Sequence, residues 1–288
     1  MDIVWTGASS KLGAQVLSRY LERVPDVRIW CGVHRHPPPL SHPQVKSFPL
    51  DLRRRPLLPR GLRPQRCVHF AGITHAADFT AYTEVNLRGT ERLAAAVQGA
   101  GCERMLYLST RCIGRGSGAY GDSKRQAEDS LRRLSWRSLT ILRPAEVYAA
   151  DGTEGVDRLV ALARKWRIVP MLLGHRNIRF APVHADDFAE ICTRIMTHPE
   201  DGEHIHEICG PEEFDGAALA RRISQRWGAV PIPIWLPLLA AFVRLAAACG
   251  AAPIFPDQID RLIGEKSAHR PPEMPESKIK WRRFCRDD

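Results

Sequence analysis

Short apolar runs alternate with helical patterns along the first two thirds of the chain, and this alternation restricts the fold more than any other feature of the sequence. Strands that alternate with helices predict βαβ units and a parallel sheet. The runs are nearly continuous in apolar residues, as expected for strands covered on both faces. The predicted strands are DIVWTG (2–7), VRIWCGVHR (27–35), VKSFPLDL (45–52), RCVHFAG (66–72), RMLYLST (104–110) and SLTILRP (138–144). We therefore expect an α/β fold with a doubly wound parallel sheet.

Helices are predicted between these strands, up to about Arg23, over residues 84–99, and from Tyr120 onward. Beyond about residue 151 the alternation loosens. Proline-containing segments follow, with one more strand-like run (EHIHEIC, 203–209) and helical patterns near 215–227 and 238–249. These patterns predict a sheet-forming domain over 1–150 and a smaller C-terminal lobe over 151–288, some segments of which return to the sheet.

The net charge and the cysteine content indicate which partners and which cellular compartment to expect. The formal charge is +10, yet the tight basic run at 53–55 has no zinc-finger spacing or basic aromatic module beside it, so we expect no nucleic-acid partner. The chain contains 8 cysteines and no CxxC pair, which indicates thiols in a reducing compartment. The N-terminus has no leader pattern, and we therefore expect a cytoplasmic protein.

The apolar stretch PIPIWLPLLAAFVRLAAACGAAPIFP does not predict a membrane span. Prolines break its start, Arg244 interrupts it, and the helical part is shorter than the roughly 20 residues that a bilayer requires. We expect a buried or substrate-covering helix here and no membrane partner. His204 and His206 fall on one face of a predicted strand, but a third ligand is not apparent, so no metal site is predicted.

The stretch DIVWTGASSKLGAQVL runs from the first strand through a turn into a helix. A turn of this kind directs backbone N–H groups and the positive helix end toward an anion, and glycines let a phosphate approach closely. Gly7 makes the turn and Gly13 permits close packing of the helix. Ser10 stands where a middle glycine is expected, and its small hydroxyl can itself donate to a phosphate. The turn therefore predicts a dinucleotide site in a Rossmann-type sheet.

A second cluster follows the fifth predicted strand. YLST ends that strand, and AYGDSK follows at 119–124. Tyr120 and Lys124 are four residues apart, so one face of a helix presents both side chains. A nearby ammonium favours the tyrosinate and lowers the reference pKa of about 10 toward the working range. Ser109 is placed to hydrogen-bond the reacting oxygen.

With these residues in order, the sequence resembles the extended, or atypical extended, branch of the short-chain dehydrogenase/reductase superfamily, the NAD-dependent epimerase/dehydratase-like proteins. The segments that carry the resemblance, in family order, are TGASSKLG, VHFAG, VNLRGT, YLST, YGDSK, LRPAEVY and PVHADDFAEI. They cover most of the chain. The resemblance implies a nicotinamide cofactor and a catalytic set of Ser109, Tyr120 and Lys124. It also implies a homodimer.

The resemblance assigns further residues to ligands. Residues that it places against the cofactor are Gly7, Ser9, Ser10, Lys11, Leu12, Gly13, His34, Arg35, Asp51 (beside the adenine), Leu52, Ala71, Gly72, Asn86, Tyr120, Lys124 and Pro144. Residues that it places near the substrate are Thr74, His75, Thr110, Glu146 and Arg179. The second predicted strand ends in CGVHRH with no acidic residue at its tip, so we expect NADP(H) rather than NAD as cofactor, with NAD as the alternative.

The function implied is that of an NAD(P)-dependent oxidoreductase or epimerase. Its substrate would be a secondary alcohol or ketone of a small molecule, in particular a nucleotide sugar, as in 4-epimerases and 4-ketoreductases. Two departures from the family pattern are Ser10 in the turn and Glu146 in LRPAEVY, where an asparagine is usual. Parts of the C-terminus resemble atypical members related to a respiratory-complex accessory subunit. The alternative is therefore a dinucleotide-binding protein that acts in assembly or sensing without turnover.

Overall fold

The computed structural model describes residues 1–149, 152, 155–248, 256–268 and 281–286. Eleven strands lie within these residues: β1 (Asp2–Thr6), β2 (Arg28–Val33), β3 (Val45–Pro49), β4 (Arg66–His69), β5 (Arg104–Leu108), β6 (Ser138–Pro144), β7 (Val147–Tyr148), β8 (Ile168–Leu173), β9 (Val183–His184), β10 (Gly202–Ile208) and β11 (Val230–Trp235). The helices of the described residues are α1 (Lys11–Arg23), α2 (Thr80–Tyr82), a π-helical turn (Thr83–Arg88), α3 (Gly89–Gly99), α4 (Gly118–Arg132), α5 (Val156–Trp166), α6 (Ala185–Thr197), α7 (Gly216–Trp227), α8 (Leu236–Ala248) and α9 (Pro256–Ile263).

Seven strands form the central sheet in the order β10-β6-β5-β4-β1-β2-β3. Strand β1 lies inside the sheet, next to the central strand β4, and pairs in parallel with β2 (Asp2↔Arg28) and with β4 (Ile3↔Arg66). The chain moves outward from β1 in one direction and then in the other, which leaves a crevice beyond the carboxyl ends of β1 and β4. The structure confirms the predicted doubly wound, Rossmann-type α/β sheet.

The chain divides into two compact units, each built from three separate segments of the sequence. Unit 1 comprises Met1–Ser109, Ser123–Arg143 and Phe188–His206, and unit 2 comprises Thr110–Asp122, Pro144–Asp187 and Glu207–Asp288. The core of unit 1 is built from buried strand residues such as Val4 and Ile141 and from helix residues such as Leu93 and Leu131. Burial of these apolar side chains is the main force that holds the strands in register.

Unit 2 has its own core and two small parallel sheets, β11–β8 and β7–β9. Its core includes Tyr148, Phe180, Phe214, Ile223 and Phe284. Strands β8 and β11 were not predicted from the sequence, and both contain prolines, Pro170 in β8 and Pro231 and Pro233 in β11. Two-stranded sheets have free edges, and a proline is tolerated where its missing N–H would point away from the partner strand.

The helix predicted over 84–99 differs from the observed one in shape. Helical structure begins at Thr80 and passes through the π-helical turn before α3. The hydroxyl of Thr90 donates to the carbonyl oxygen of Asn86 at 2.6 Å, inside this region. Such π-turns occur often beside functional sites. Within the described residues, no helix is both long enough and apolar enough to span a bilayer.

Candidate active site

The turn between β1 and α1 depends on its two glycines. Gly7 has a φ of 79°, and a Cβ at this position would lie 2.6 Å from the backbone nitrogen of Ala71. At Gly13 a Cβ would lie 2.2 Å from the carbonyl oxygen of Gly7. Neither position can accept a side chain, because in both cases the obstacle is backbone. The glycines therefore hold the start of α1 directly against the end of β4.

Ser10 is the N-cap of α1. Its hydroxyl accepts from the N–H of Gly13 at 3.0 Å and donates to the carbonyl oxygen of Gly7 at 2.9 Å. The single hydroxyl hydrogen is thus used within the turn, whereas the sequence led us to expect that it would be available to a phosphate. The N–H of Leu12 has no partner among the described residues, so the helix start retains a backbone donor for an anion.

A directed chain of hydrogen bonds links the ends of β1 and β4 to α3. His69 is fully buried, with Nδ1 2.6 Å from Thr6 Oγ1 and Nε2 2.9 Å from Thr90 Oγ1. Because the Thr90 hydroxyl donates to Asn86, its oxygen accepts from Nε2–H, and Nδ1 accepts from Thr6. The oxygen of Thr6 in turn accepts from the N–H of Ala71 at 3.2 Å. Burial lowers the pKa of His69 to about 3, with a further contribution from the Lys124 charge, so the ring is neutral.

Asn86 holds the segment that follows β4. Its Oδ1 accepts from the N–H of Ile73 at 2.9 Å, and its Nδ2 donates to the Ile73 carbonyl at 3.0 Å and to Ser123 Oγ at 3.2 Å. A Cβ at Gly72 would lie 3.0 Å from Asn86 Oδ1. The Asn86 amide is therefore committed to fixing this segment, and Gly72 leaves its surface open.

Lys124 and Ser109 lie together at the end of β5. The Nζ of Lys124 donates to the carbonyl oxygen of Leu108 at 2.6 Å and stands 4.3 Å from the centroid of the Tyr107 ring. Burial lowers the pKa of Lys124 to about 7, and the carboxylate of Glu128 acts in the opposite direction. The Oγ of Ser109 is buried and has no partner among the described residues. A buried hydroxyl without a partner is costly, and a ligand oxygen would satisfy it.

Glu128 follows Lys124 by one helical turn and is completely buried. Arg143 binds it through two hydrogen bonds, Nε–Oε1 at 3.0 Å and Nη2–Oε2 at 2.5 Å. Breaking a buried pair of this kind leaves an uncompensated charge. The pair therefore fixes the face of α4 that carries Lys124 against the end of β6.

Tyr120 is held from a distant part of unit 2. Its backbone N–H donates to Oδ1 of Asp257 at 3.0 Å, and the guanidinium of Arg261 stands 4.4 Å from the centroid of its ring. Asp257 and Arg261 form an ion pair at 2.8 Å on α9. Asp257 thus satisfies a backbone donor in the first turn of α4. The spacing of Tyr120 and Lys124 on α4 places both on one face of this helix, as predicted.

An exposed arginine follows the end of β2, and a carboxylate from the segment after β3 lies beside this end of the strand. Arg35 is exposed and has no partner among the described residues. Asp51, which follows β3, lies with Oδ2 3.9 Å from Nε2 of His34. A hydrogen bond from the backbone of Arg53, together with the charges of His34, Arg53 and Arg54, lowers the pKa of Asp51. An acidic group is therefore present beside this tip, although the sequence of β2 itself contains none.

The residues predicted to contact substrate fall into two groups. Thr74 and His75, in unit 1, are exposed and bond to each other at 2.9 Å. In unit 2, Thr110 accepts from the N–H of Cys112 at 3.1 Å, and Glu146 accepts from the N–H of Ala181 at 2.9 Å. Both of these side chains thus support the local backbone.

Arg179 lines a cavity of about 460 Å³ within unit 2. Arg111, Arg176 and Lys266 line the same cavity, together with Glu213 and Glu265. Arg111 is buried and forms an ion pair with Glu213, from which the Nε of Arg179 is 3.9 Å distant. The cationic side chains outnumber the carboxylates, so the cavity favours an anionic ligand.

Sequence reasoning missed Asp257, Arg261, Arg111 and the relay through His69. Asp257 and Arg261 have helical i, i+4 spacing, but nothing in the sequence connects them with Tyr120, which lies 137 residues before Asp257. His204 lies 3.5 Å from Glu200, and no metal-binding cluster of His, Cys, Asp and Glu occurs in the described part of the chain.

Comparison with protein-family models identifies the family of the chain. The model of the NAD dependent epimerase/dehydratase family matches residues 3–209. The chain belongs to this family. It is therefore an NAD(P)-binding enzyme of the epimerase/dehydratase class, which does not favour the alternative of a binding protein without turnover.

A curated relative is the spore coat polysaccharide biosynthesis protein SpsK of Bacillus subtilis (strain 168). It is 31% identical over 105 residues, which make up 35% of this chain and 35% of that protein. The match thus spans about a third of the relative's length.

Solved structures of low sequence identity share the fold. The dTDP-glucose 4,6-dehydratase DesIV of Streptomyces venezuelae, determined with NAD, is 21% identical with a TM-score of 0.66, over 82% of this chain and 84% of that chain. The UDP-glucose 4-epimerase of Thermus thermophilus, determined with NAD, is 20% identical with a TM-score of 0.63, over 91% and 97% of the two chains. The UDP-glucose 4-epimerase of Thermotoga maritima, determined with UDP-glucose, is 15% identical with a TM-score of 0.63, over 82% and 85%.

Proposed function

We propose that this enzyme is an NADP(H)-dependent epimerase or ketoreductase that acts on a secondary alcohol or ketone of a nucleotide sugar. The observation that carries the proposal is the presence of Ser109, Tyr120 and Lys124 within a family of NAD-dependent epimerases and dehydratases. The glycine turn, the open surface at Gly72 and the unpartnered N–H of Leu12 fit a dinucleotide. When bound, the nicotinamide supplies the hydride acceptor and donor.

The protein side chains supply the proton chemistry. Tyr120 removes the hydroxyl proton of the substrate in oxidation and returns a proton in reduction. The guanidinium of Arg261 over the Tyr120 ring and the ammonium of Lys124 on the same helix face both favour the phenolate. Ser109 donates a hydrogen bond to the substrate oxygen, which satisfies its buried hydroxyl.

We propose the remaining ligand contacts on the same basis. Arg35 binds the 2′-phosphate that distinguishes NADP(H) from NAD(H), since it is exposed and carries a free positive charge. The basic cavity around Arg179 holds the anionic part of the substrate. Thr74, His75, Thr110 and Glu146 are proposed to lie close to the sugar.

The compartment and the assembly state are part of the proposal. Six of the seven cysteines that the structure describes are buried, which suits a reducing cytoplasm. We propose a homodimer, which sedimentation in solution tests directly.

The experiment compares the wild type with Tyr120→Phe, using NADPH and NADH with a panel of nucleotide 4-keto sugars and nucleotide sugars. General acid–base catalysis contributes 10²–10⁴-fold, so turnover falls by about that factor while the Kd of the dinucleotide changes little. The control is Tyr20→Phe, which removes the hydroxyl of a buried tyrosine on α1 and should retain activity. Full activity in Tyr120→Phe would remove this residue from the mechanism, and failure of the wild type to turn over any member of the panel would refute the substrate class.

A further inference from the structure

Unit 2 exposes large apolar side chains where β8 and β11 begin. Trp166, Ile168 and Val230 are 61%, 40% and 60% exposed. Cationic side chains surround them on the ends of α5 and α7. We call this surface the basic aromatic patch, and its members are Arg164, Lys165, Trp166, Arg167, Ile168, Arg226, Trp227 and Val230.

Direct contacts join the backbone and the rings of the patch. Val230 pairs with Ile168 in the β11–β8 register, and its N–H donates to the Arg167 carbonyl at 2.8 Å. The guanidinium of Arg167 donates to the carbonyl of Trp227.

Three further cations lie over the indole rings. The guanidiniums of Arg164 and Arg226 are each 5.2 Å from the Trp227 ring, and the ammonium of Lys165 is 5.1 Å from the Trp166 ring. The patch is therefore one continuous surface and not a set of scattered residues.

The positive charges of the patch have no acidic counterpart in the described part of the chain. Among the described residues, none of Arg164, Lys165, Arg167 and Arg226 forms an ion pair with a carboxylate. The neighbouring Arg222, on the same helix as Arg226, pairs with Glu212 at 2.9 Å. The four cations thus remain available to an anionic partner.

Arg167 occupies a backbone position that favours glycine. It is the C-cap of α5 with a φ of 56°, in the left-handed region. Helix α7 ends in the same conformation with Gly228, at a φ of 60°. A side chain in this region has a conformational cost that glycine avoids. The chain nevertheless has an arginine here, directly between Trp166 and Ile168.

We propose that the basic aromatic patch binds the surface of a bilayer that contains anionic lipids. Exposed tryptophan and aliphatic side chains next to lysine and arginine match the two parts of a lipid interface, the acyl boundary and the phosphate layer. A second copy docked on a twofold axis would set these cations against their own copies. Nucleic acid would leave Ile168 and Val230 without a role. The sequence alone led us to expect no membrane partner, because its long apolar stretch is interrupted and too short to span a bilayer. The exposure of the patch residues depends on the β8–β11 pairing, which the sequence does not reveal.

A second exposed apolar surface does not carry the same inference. Leu238, Phe242 and Leu245 of α8 are more than half exposed at helical spacing, but the cation beside them, Arg244, pairs with Asp260 at 3.1 Å. Nothing about this stripe indicates what covers it. It serves as a comparison in the test.

The test is co-sedimentation of the full chain with vesicles of phosphatidylcholine alone and with about a third phosphatidylglycerol. We expect binding to the anionic vesicles only, and loss of binding as salt rises from about 0.1 M to 0.5 M. A cation near an anionic surface contributes a factor of roughly five, so Arg164→Gln with Lys165→Gln weakens partitioning by about 25-fold. Arg167→Gly weakens it roughly fivefold while the thermal midpoint is kept or raised, because glycine suits this backbone.

The matched control is Arg60→Gln with Arg63→Gln, which changes the charge of unit 1 by the same amount and should leave vesicle binding within about twofold. Absence of binding to anionic vesicles overturns the proposal. So does equal loss in the control, and so does loss in Phe242→Ser with none in the patch variants. Binding of random duplex DNA without binding of vesicles would assign the patch to nucleic acid instead.

Discussion

The ammonium of Lys124 donates to the carbonyl oxygen of Leu108 at 2.6 Å, and Leu108 is the residue that precedes Ser109. This contact anchors the lysine to the end of the same strand that presents the serine. The lysine is buried there beneath the ring of Tyr107, and its pKa is lowered to about 7 as a result. A charge kept in such a place weakens the fold at neutral pH, and we propose that the role of Lys124 in the active site is the reason to keep it.

The first prediction concerns the stability of Lys124→Met. The pKa of Lys124 is about 7 in the folded protein against the usual 10.5, so the unfolded chain binds more protons between these pH values. The burial penalty is therefore full below about pH 7 and fades as the pH rises to 10.5. Relative to wild type, Lys124→Met should gain a few kcal/mol more at pH ~6 than at pH ~10 in denaturant unfolding. A stability difference that does not vary with pH would contradict the assignment.

Lys124→Met should also lose turnover and weaken dinucleotide binding, because we assign its ammonium to the cofactor ribose as well as to Tyr120. Isothermal titration with NADPH separates this effect from that of Tyr120→Phe, which should bind the dinucleotide as the wild type does.

The second prediction concerns acid stability and His69. Its pKa of about 3, against the usual 6.5, means that the unfolded chain binds one proton more within that interval. Stability is therefore lost as the pH falls from 6.5 toward 3, by up to about 1.4 kcal/mol per pH unit. His69→Gln removes this titration and should show a shallower acid slope in urea unfolding. An unchanged slope would show that His69 does not titrate as proposed.

The third prediction separates two roles of Ser10. As an N-cap, Ser10→Ala should cost about 1 kcal/mol of stability, and Ser10→Gly only a few tenths. If the hydroxyl works within the turn, Ser10→Gly leaves the Kd for the dinucleotide within about tenfold, or ~1.4 kcal/mol. Calorimetric titration of both variants measures this, and a larger loss in Ser10→Gly would place the hydroxyl on the phosphate.

The fourth prediction tests cofactor choice. Arg35→Asp removes the proposed phosphate contact and adds a charge that repels it, so preference should shift from NADPH toward NADH. Loss of a charge-assisted contact is worth about 1.5–3 kcal/mol, or roughly 10- to 150-fold in the Kd for NADPH. Arg60→Asp is the matched control. NADPH binding that is equal or tighter in Arg35→Asp would exclude a role for this arginine.

The central sheet and the turn at Gly7 and Gly13 could be predicted because their signals are local. Apolar runs predict the strands. A position at which a Cβ would collide with backbone must be glycine, and the sequence shows that glycine directly. Ser109, Tyr120 and Lys124 also form a short ordered set in the sequence, and their catalytic role stays a prediction. Contacts between distant segments left no such signal. The proximity of Asp51 to His34 and the hydrogen bond from Tyr120 to Asp257 both depend on tertiary packing. No local sequence pattern predicts such packing.

Strand β11 shows the opposite limitation. Its prolines signal a break when read along the chain, yet the strand forms because it pairs on one side alone with β8. The free-energy penalty for proline in a strand depends on whether its missing N–H would otherwise donate a hydrogen bond to a neighbouring strand. The sequence of β11 alone therefore does not show whether its prolines are tolerated, because this depends on which strands pair with it.

The capping of Tyr120 by α9 has a consequence for the order in which the protein is made. The carboxylate that fixes the backbone of Tyr120 and the guanidinium over its ring both belong to residues 257–261, far along the chain from the tyrosine. During synthesis the N-terminal segments leave the ribosome first and begin to fold. The phenol that we propose as the acid–base group therefore acquires these surroundings only after residues 257–261 have emerged, so on this proposal a shorter nascent chain is not yet a catalyst.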